Sequence, residues 1–376
     1  MAEPSLLRAE ILLPEAASFA RLDGALTTPF QATGWLQHFL EAHRETGRLR
    51  LLRLVTPGGA EILLPLLVHR ARGATVAVKI GEAHASYFTP GLVGEVPALN
   101  AAELVPALRQ AARAGAIDAL LFEDMLPAWR GRKNPLMALD PRMAPNDAAF
   151  LTLGDDADAL LGFLLDKDAR KKLRAKSARL SELGALAARW VDEPAAIETA
   201  LALFFYWKTQ QFSARGLPDA FADEAVRRFI VRAAHDPAGG LKLFALTLAG
   251  RPVALIGGAM HDGHFAGMFT AYDPRPDIAK HSPGEVMLQA LLPALIEAGC
   301  RGFDLGAGDA RYKTRFCPEK QTLFDAALGV TFRGRLHAQL WRATRRIKGR
   351  IKRSPRLMGL VEAWRRKRRK PAAGAA

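Results

Sequence analysis

Cysteine is almost missing: the 376-residue chain carries two, Cys300 and Cys317. That excludes a disulfide framework and a four-ligand metal knuckle, and it fits a reducing compartment. Each thiol reads first as a small apolar filler, with a nucleophilic role for either as the minor alternative, since Cys317 follows a basic stretch. Long apolar runs are missing as well. No stretch reaches the roughly 20 residues of a spanning helix. Glu3, Glu10 and Glu15 interrupt the opening residues, which lack the basic flank and apolar core of a secretory signal. The expectation is a cytoplasmic protein, at most peripheral on the inner face of a membrane. No Gly-x-Ser-x-Gly elbow occurs, which removes a Ser-His-Asp hydrolase. His261 and His264 flank an Asp-Gly turn with no third ligand nearby, so no metal is expected.

What is present is a chain that can bury a core, 49% hydrophobic, with a net charge of +15. The charge is local. From Arg342 to Ala376 there are fourteen Lys or Arg against one acid, Glu362, and the remainder holds 39 basic against 37 acidic residues. The body is nearly neutral, and any acidic partner belongs to the tail.

Patterning divides the chain into 1–150, 151–336 and a basic amphipathic tail, 337–376. The first part opens with Pro29-Phe30-Gln31 and a helix whose Trp35, Leu36, Phe39 and Leu40 share a face. Leu49–Thr56 and Glu61–His69 read as a hairpin around Pro57-Gly58-Gly59-Ala60, followed by a strand at Thr75–Ile80. Tyr87-Phe88-Thr89-Pro90-Gly91, an alanine-rich helix over Ala101–Ala114 and a strand at Ala119–Phe122 complete an α/β plan. The second part starts with one long helix predicted over 156–183, dense in charge from Lys167 through Lys172 to Arg179. That face reads first as solvated, with phosphate or acidic-acceptor contact as the rival. A strand at Ala187–Val191 follows, then an aromatic helix with Phe204, Phe205, Tyr206 and Trp207, read as core. A helix at Phe221–Ala234 leads to a three-strand meander, Leu241–Leu248, Pro252–His261 and His264–Tyr272.

Chemistry concentrates after Tyr272. Lys280-His281-Ser282-Pro283-Gly284-Glu285 opens a helix with Ser282 as N-cap, Pro283 at the first position and Glu285 closing a capping box. Free amides at such a start converge on an anion, and Gly284 lets a ligand approach. The helix ends at Gly299, a strand runs Gly302–Leu305, and Asp304-Leu305-Gly306-Ala307-Gly308-Asp309-Ala310-Arg311-Tyr312-Lys313 crowds polar groups at its end, where open α/β sheets place ligands. Asp304 is a base or orienter, or else a turn acceptor. Tyr312 protonates a departing thiolate, or packs at a seam. Lys313 neutralises a carboxylate, phosphate or oxyanion, or is solvated.

The runs Tyr272-Asp273-Pro274, Lys280 to Gly284 and Phe303-Asp304-Leu305-Gly306 with Tyr312-Lys313 resemble the GNAT acyltransferases of bacterial cellulose and exopolysaccharide loci, the CelD-like group. That group is distantly related to FemAB aminoacyltransferases. Arg170-Lys171-Lys172-Leu173 and Pro29-Phe30 with Trp35-Leu36 fit the same pattern, and the likeness spans about Thr28 to Leu336. It implies an α/β (α+β) fold of tandem GNAT-like halves, each a mixed, mostly antiparallel sheet flanked by helices, plus a basic C-terminal helical tail. It also implies acetyl-CoA or another acyl-CoA as co-substrate, held at Lys280, His281, Ser282, Pro283 and Gly284. By the same likeness, Asp304, Tyr312 and Lys313 are catalytic, and Tyr87, Lys172, Tyr272 and Arg315 bind substrate in a groove between halves. The Gln/Arg-x-x-Gly-x-Gly/Ala signature is not present literally, since Lys280 to Gly284 supplies one glycine. An aminoacyl-tRNA donor is the first alternative and a non-catalytic, membrane-associated binding module the second. The expected acceptor is a small molecule or saccharide with an amine or hydroxyl. For the tail, spaced apolar residues among dense positive charge suggest an anionic membrane surface, with nucleic acid as the weaker rival and plain solvation as the third reading.

Overall fold

The structure, a computed structural model, describes residues 7–13, 16–308, 310–354 and 356–359. Asp309 and the end of the expected tail, with Leu360, Val361, Trp364 and the run Arg365-Arg366-Lys367-Arg368-Arg369-Lys370, lie outside these residues.

The first half runs β1 (Arg8–Leu12), α1 (Ala16–Asp23), α2 (Thr33–Ala42), the hairpin β2 (Leu49–Val55) and β3 (Glu61–Ala71), β4 (Ala74–Lys79), β5 (Gly91–Val93), α3 (Ala101–Ala114) and β6 (Ala119–Met125). A small hairpin, β7 (Ala128–Trp129) with β8 (Arg132–Lys133), leads to β9 (Arg142–Thr152). Helix α3 spans the residues its pattern predicts, because Asn100 and Glu103 form a reciprocal cap and Leu104, Ala107, Leu108 and Ala111 fall on one buried face.

The second half departs from the sequence at its start. Two helices, α4 (Ala157–Leu164) and α5 (Lys167–Ser181), replace the single one expected over 156–183. The reason is a second cap. Asp156 accepts from the amides of Asp158 and Ala159, and Asp166 accepts from Ala169, so helix nucleates twice. Then come β10 (Leu186–Trp190), α6 (Pro194–Arg215), α7 (Glu224–His235), β11 (Leu241–Leu248), β12 (Arg251–His261), β13 (His264–Tyr272), α8 (Pro276–Ala279), α9 (Pro283–Glu297), β14 (Gly302–Ala307), α10 (Arg311–Phe316), β15 (Glu319–Gly329) and α11 (Phe332–Arg353).

All but β7 and β8 join one sheet in the order β1-β2-β3-β4-β6-β15-β9-β14-β13-β12-β11-β10, with β5 on β3. The sheet is mixed and mostly antiparallel, its parallel pairs being β4 with β6 and β13 with β14. The tandem plan is visible in that order. In each half an antiparallel meander passes through a helix, α3 or α9, to a parallel strand. The following strand then crosses over: β9 pairs with β14, and β15 pairs with β6. Strands β9 and β15 also pair with each other, closing the seam.

Helices α2, α6 and α7 pack a large aromatic cluster. Trp35 stacks on Phe39 at 5.4 Å and meets Phe229 edge-on at 5.1 Å, while Phe30 meets Tyr87 at 4.9 Å. Burial of each such ring is worth about 1.5–3 kcal/mol before its conformational entropy is counted. Of the four aromatics expected as core in α6, Phe204 and Trp207 are fully buried and Phe205 half-buried, while Tyr206 faces outward at 58% exposure. A second core lies beneath α9 and α5, built on Phe265, Phe303, Leu291 and Leu292.

Candidate active site

Strands β13 and β14 lie parallel but pair at only three positions: His264 with Gly302, Phe265 with Phe303 and Ala266 with Asp304. Both strands continue, to Tyr272 and Ala307, without pairing to each other again. A gap therefore opens beyond Ala266 and Asp304. Met268 is an extra residue within it, since Gly267 faces Gly258 and Phe269 faces Gly257 across to β12. Such a bulge re-aims the backbone groups around it. On the other wall Gly306 takes a left-handed φ of +70, and a Cβ there would strike the Ser86 hydroxyl. A Cβ on Gly267 would stand 3.0 Å from the Asp304 carbonyl oxygen, so glycine permits the close approach at the apex.

Asp304 lies at that apex, fully buried. Its Oδ2 accepts from the Tyr87 hydroxyl at 2.6 Å and lies 2.8 Å from His264 Nε2, while Oδ1 accepts from the Gly306 amide at 2.8 Å. Burial, and then the neighbouring Asp304 carboxylate, raise the Tyr87 phenol well above its ordinary 10.0, so it stays a donor. Two residues selected from sequence, Tyr87 and Asp304, thus meet. His264, dismissed as a metal ligand, is the third member. A carboxylate with no exposed surface reaches solvent only through its partners, and His264 lines a cavity of about 600 Å³ at the seam. Trp129, Phe150, Thr152, Arg301 and Glu319 share that cavity, and Trp129 packs edge-on to His264 at 4.9 Å.

The start of α9 differs from its expected form. The helix begins at Pro283 as anticipated, but Ser282 adopts a left-handed conformation and makes no side-chain cap. The capping box is not formed. Its members turn to Lys176 on α5, which donates to Ser282 Oγ and Glu285 Oε2, each at 2.9 Å. Arg315 on α10 donates to Glu285 Oε1 at 2.8 Å. Two cations outcompete a local cap for one carboxylate because charge-assisted bonds are the stronger ones. Pro283 has no amide hydrogen, and the Glu285 and Val286 amides donate to the Ser282 carbonyl oxygen. Gly284 is then the first-turn position whose amide has no backbone acceptor among the described residues. A Cβ at Gly284 would touch Tyr272 at an ordinary 3.8 Å.

Helix α10 follows β14. Tyr312 packs half-buried against the core beneath α9. Burial, then the nearby Cys317, raise its phenol above 10.0. Burial also raises the Cys317 thiol well above 9.0 and lifts that of Cys300. Both thiols stay protonated at neutral pH, in keeping with their reading as apolar filler. Lys313 Nζ donates to the Ala307 carbonyl oxygen at 2.9 Å, at the end of β14. Tyr272 is 40% exposed where β13 ends. Lys280 is exposed and His281 half-buried just before α9. Lys172 is exposed on α5, one turn before Lys176. It is Lys176, which the sequence presents only as one of seven basic residues from Lys167 to Arg179, that the fold brings to the helix start. No group of three or more His, Cys, Asp or Glu able to hold a metal occurs among the described residues.

Comparisons with known proteins place a family match in this half and structural likeness across most of the chain. A family model described as an acetyltransferase (GNAT) domain matches residues 167–314. No curated protein matches the chain in sequence. Among solved structures, FemX is similar at 11% identity and a TM-score of 0.57, covering 85% of this chain and 96% of that one. The L-PGS structure from Bacillus licheniformis matches at 12% identity and a TM-score of 0.50, covering 85% and 93%. A C-terminal DUF2156 domain from Agrobacterium fabrum, described with lysylphosphatidylglycerol synthetase, matches at 13% identity and 0.50, covering 86% and 93%. Residues 167–314 thus carry a GNAT fold, and the strand order repeats its plan in both halves. At these identities the structures speak for the fold alone.

Proposed function

We propose that this chain is an N- or O-acyltransferase that moves an acyl group, acetyl foremost, from acyl-CoA to an amine or hydroxyl of a small-molecule or saccharide acceptor, as in the CelD-like group of polysaccharide and envelope biosynthesis. The observation that carries the reading is the gap between β13 and β14, with its bulge at Met268 and with the start of α9 reached from β13 through the short α8. An extended, amide-bearing thioester arm is the chemistry that an unpaired strand edge accepts. Backbone amides of the bulged strand then face the thioester carbonyl and stabilise the oxyanion as the acceptor attacks. The acceptor's proton passes to the His264–Asp304 pair as its nitrogen or oxygen bonds the carbonyl carbon. The carbon–sulfur bond breaks with its electron pair on sulfur, and Tyr312, held as a neutral phenol, supplies the thiolate's proton. Asp304 positions Tyr87 and His264, and through them the seam cavity in which the acceptor sits. Transfer is direct, in a ternary complex, with no covalent enzyme intermediate.

A second reading, a FemAB-type aminoacyl donor, draws on the start of α9. There Glu285 already occupies the two cations, Lys176 and Arg315, that a CoA pyrophosphate needs. Purified protein incubated with acetyl-CoA or aminoacyl-tRNA and an acceptor panel, read by mass spectrometry, separates the two. Calorimetry that finds no CoA binding removes the first.

A further inference from the structure

Helix α11 lies on the sheet through its smallest residues and its arginines. Gly334, Ala338 and Gly349 are buried, and a Cβ on Gly334 would collide with the Asp118 carbonyl group. Arg345 reaches the sheet, pairing with Asp325 at 2.6 Å and Asp124 at 2.5 Å. The large apolar residues face the other way: Phe332 is 80% exposed, Leu336 53%, Leu340 46% and Ile347 57%. At about 100° per residue they fall within an arc of roughly 80°, opposite Gly334, Ala338 and Gly349.

Basic residues flank that stripe on both sides, Arg333 and Lys348 on one and Arg335 and Arg346 on the other. No Asp or Glu occurs from Phe332 to Arg353. Arg346 and Arg350 make no ion pair among the described residues, and with Met143 and Trp341 they line a groove of about 800 Å³ beside the helix. Asp140 and Asp325 also line it, Asp325 already held by Arg345. A solvated helix has its apolar face inward. An outward apolar stripe between two basic flanks matches the interior and headgroup layers of an anionic bilayer. No helix among the described residues is long and apolar enough to cross a membrane, so such a helix lies in the interface.

We propose that α11 docks the protein on an anionic lipid bilayer. Phe332, Leu336, Leu340 and Ile347 enter the acyl boundary, and Arg346 and Arg350 receive lipid phosphates. This is independent of the transferase reading.

Vesicle co-sedimentation of the full-length chain tests it, using phosphatidylcholine alone and phosphatidylcholine with about one third phosphatidylglycerol. Binding is expected to the anionic vesicles only, weakened about tenfold or more by Leu336→Glu with Ile347→Glu. Leu340→Gln, a milder change on the same stripe, shifts it in the same direction, and circular dichroism verifies that each variant is folded. Arg346→Glu with Arg350→Glu removes the preference for anionic lipid. A chain ending at Gly359 keeps its binding within about threefold. Unchanged binding by the stripe variants overturns the proposal. So does complete loss in the chain ending at Gly359, which moves the site to the tail, or binding to a duplex oligonucleotide with none to vesicles.

Discussion

Replacing Asp304 tests the centre of the site directly. One buried carboxylate satisfies the Tyr87 hydroxyl, the Gly306 amide and His264. Asp304→Ala leaves a phenol O–H and an amide N–H buried without acceptors, at about 1–3 kcal/mol each, and opens a small void. The sum is about 3–5 kcal/mol, in the range found when one partner of a buried charged network is removed. Asp304→Asn keeps the shape and the Oδ1 acceptor for Gly306, and the phenol can rotate to accept from the new amide. That variant is expected to cost about 1–2 kcal/mol. Urea unfolding at neutral pH, followed by near-ultraviolet circular dichroism, measures both. Tyr87→Phe on the alanine background should then add little, since the bond it removes is already lost. If Asp304→Ala lies within about 1 kcal/mol of the parent, or Asn destabilises as much as Ala, the carboxylate is not the hub described above.

Tyr312→Phe should lower kcat about a hundredfold and leave the donor KM within about threefold. Because burial raises this phenol, the alkaline fall in rate should begin above pH 10.0, and a limb well below that refutes its role as the acid. Glu285→Gln leaves Lys176 and Arg315 without their carboxylate, so CoA should bind about three to ten times more tightly, whereas weaker binding would mean that no donor phosphate uses these cations. Lys208, lowered to about 8 by burial and then by Arg215, gives a pH signature. The unfolded chain binds the extra proton between about 8 and the ordinary 10.5, so stability rises with pH across that window. Lys208→Met should flatten that rise and raise the urea midpoint at pH 7, and a lower midpoint would contradict it.

Elements governed by near neighbours were legible from the amino-acid order alone. Leu241–Leu248, His264–Tyr272 and Ala101–Ala114 occur with the bounds expected, because alternation, turn residues and the Asn100 cap act within a few positions. The start of α9 at Pro283 is local too. Its capping box was not, because Lys176, 106 residues before Ser282, and Arg315, 30 residues after Glu285, decide where those side chains point. The break at Asp166 was written locally, in an acid placed before Lys167 and Ala169, but the leucine spacing across it masked the signal. Asp304 drew attention among polar groups crowding a strand end, and Tyr87 only through the likeness to GNAT acyltransferases. Asp304 meets His264 through the pairing of β13 with β14 and meets Tyr87 only where the halves join, and Trp129 sits in a two-strand hairpin too short to register as one.

The exchange of β9 and β15 dictates the order in which this chain can be completed. Emerging from a ribosome, the first half arrives with the inner edge of β6 bare, since the strand that covers it ends at Gly329. The Asp124 amide waits for Asp325, 201 residues later. An uncovered strand edge invites pairing with another chain, and pairing across so long a span is slow. Residues 1–150 expressed alone are therefore expected to aggregate, and adding β15 through a short linker after β9 to restore solubility. The two halves share their strands, so that losing β15 would bare an edge of β6 and an edge of β9 together.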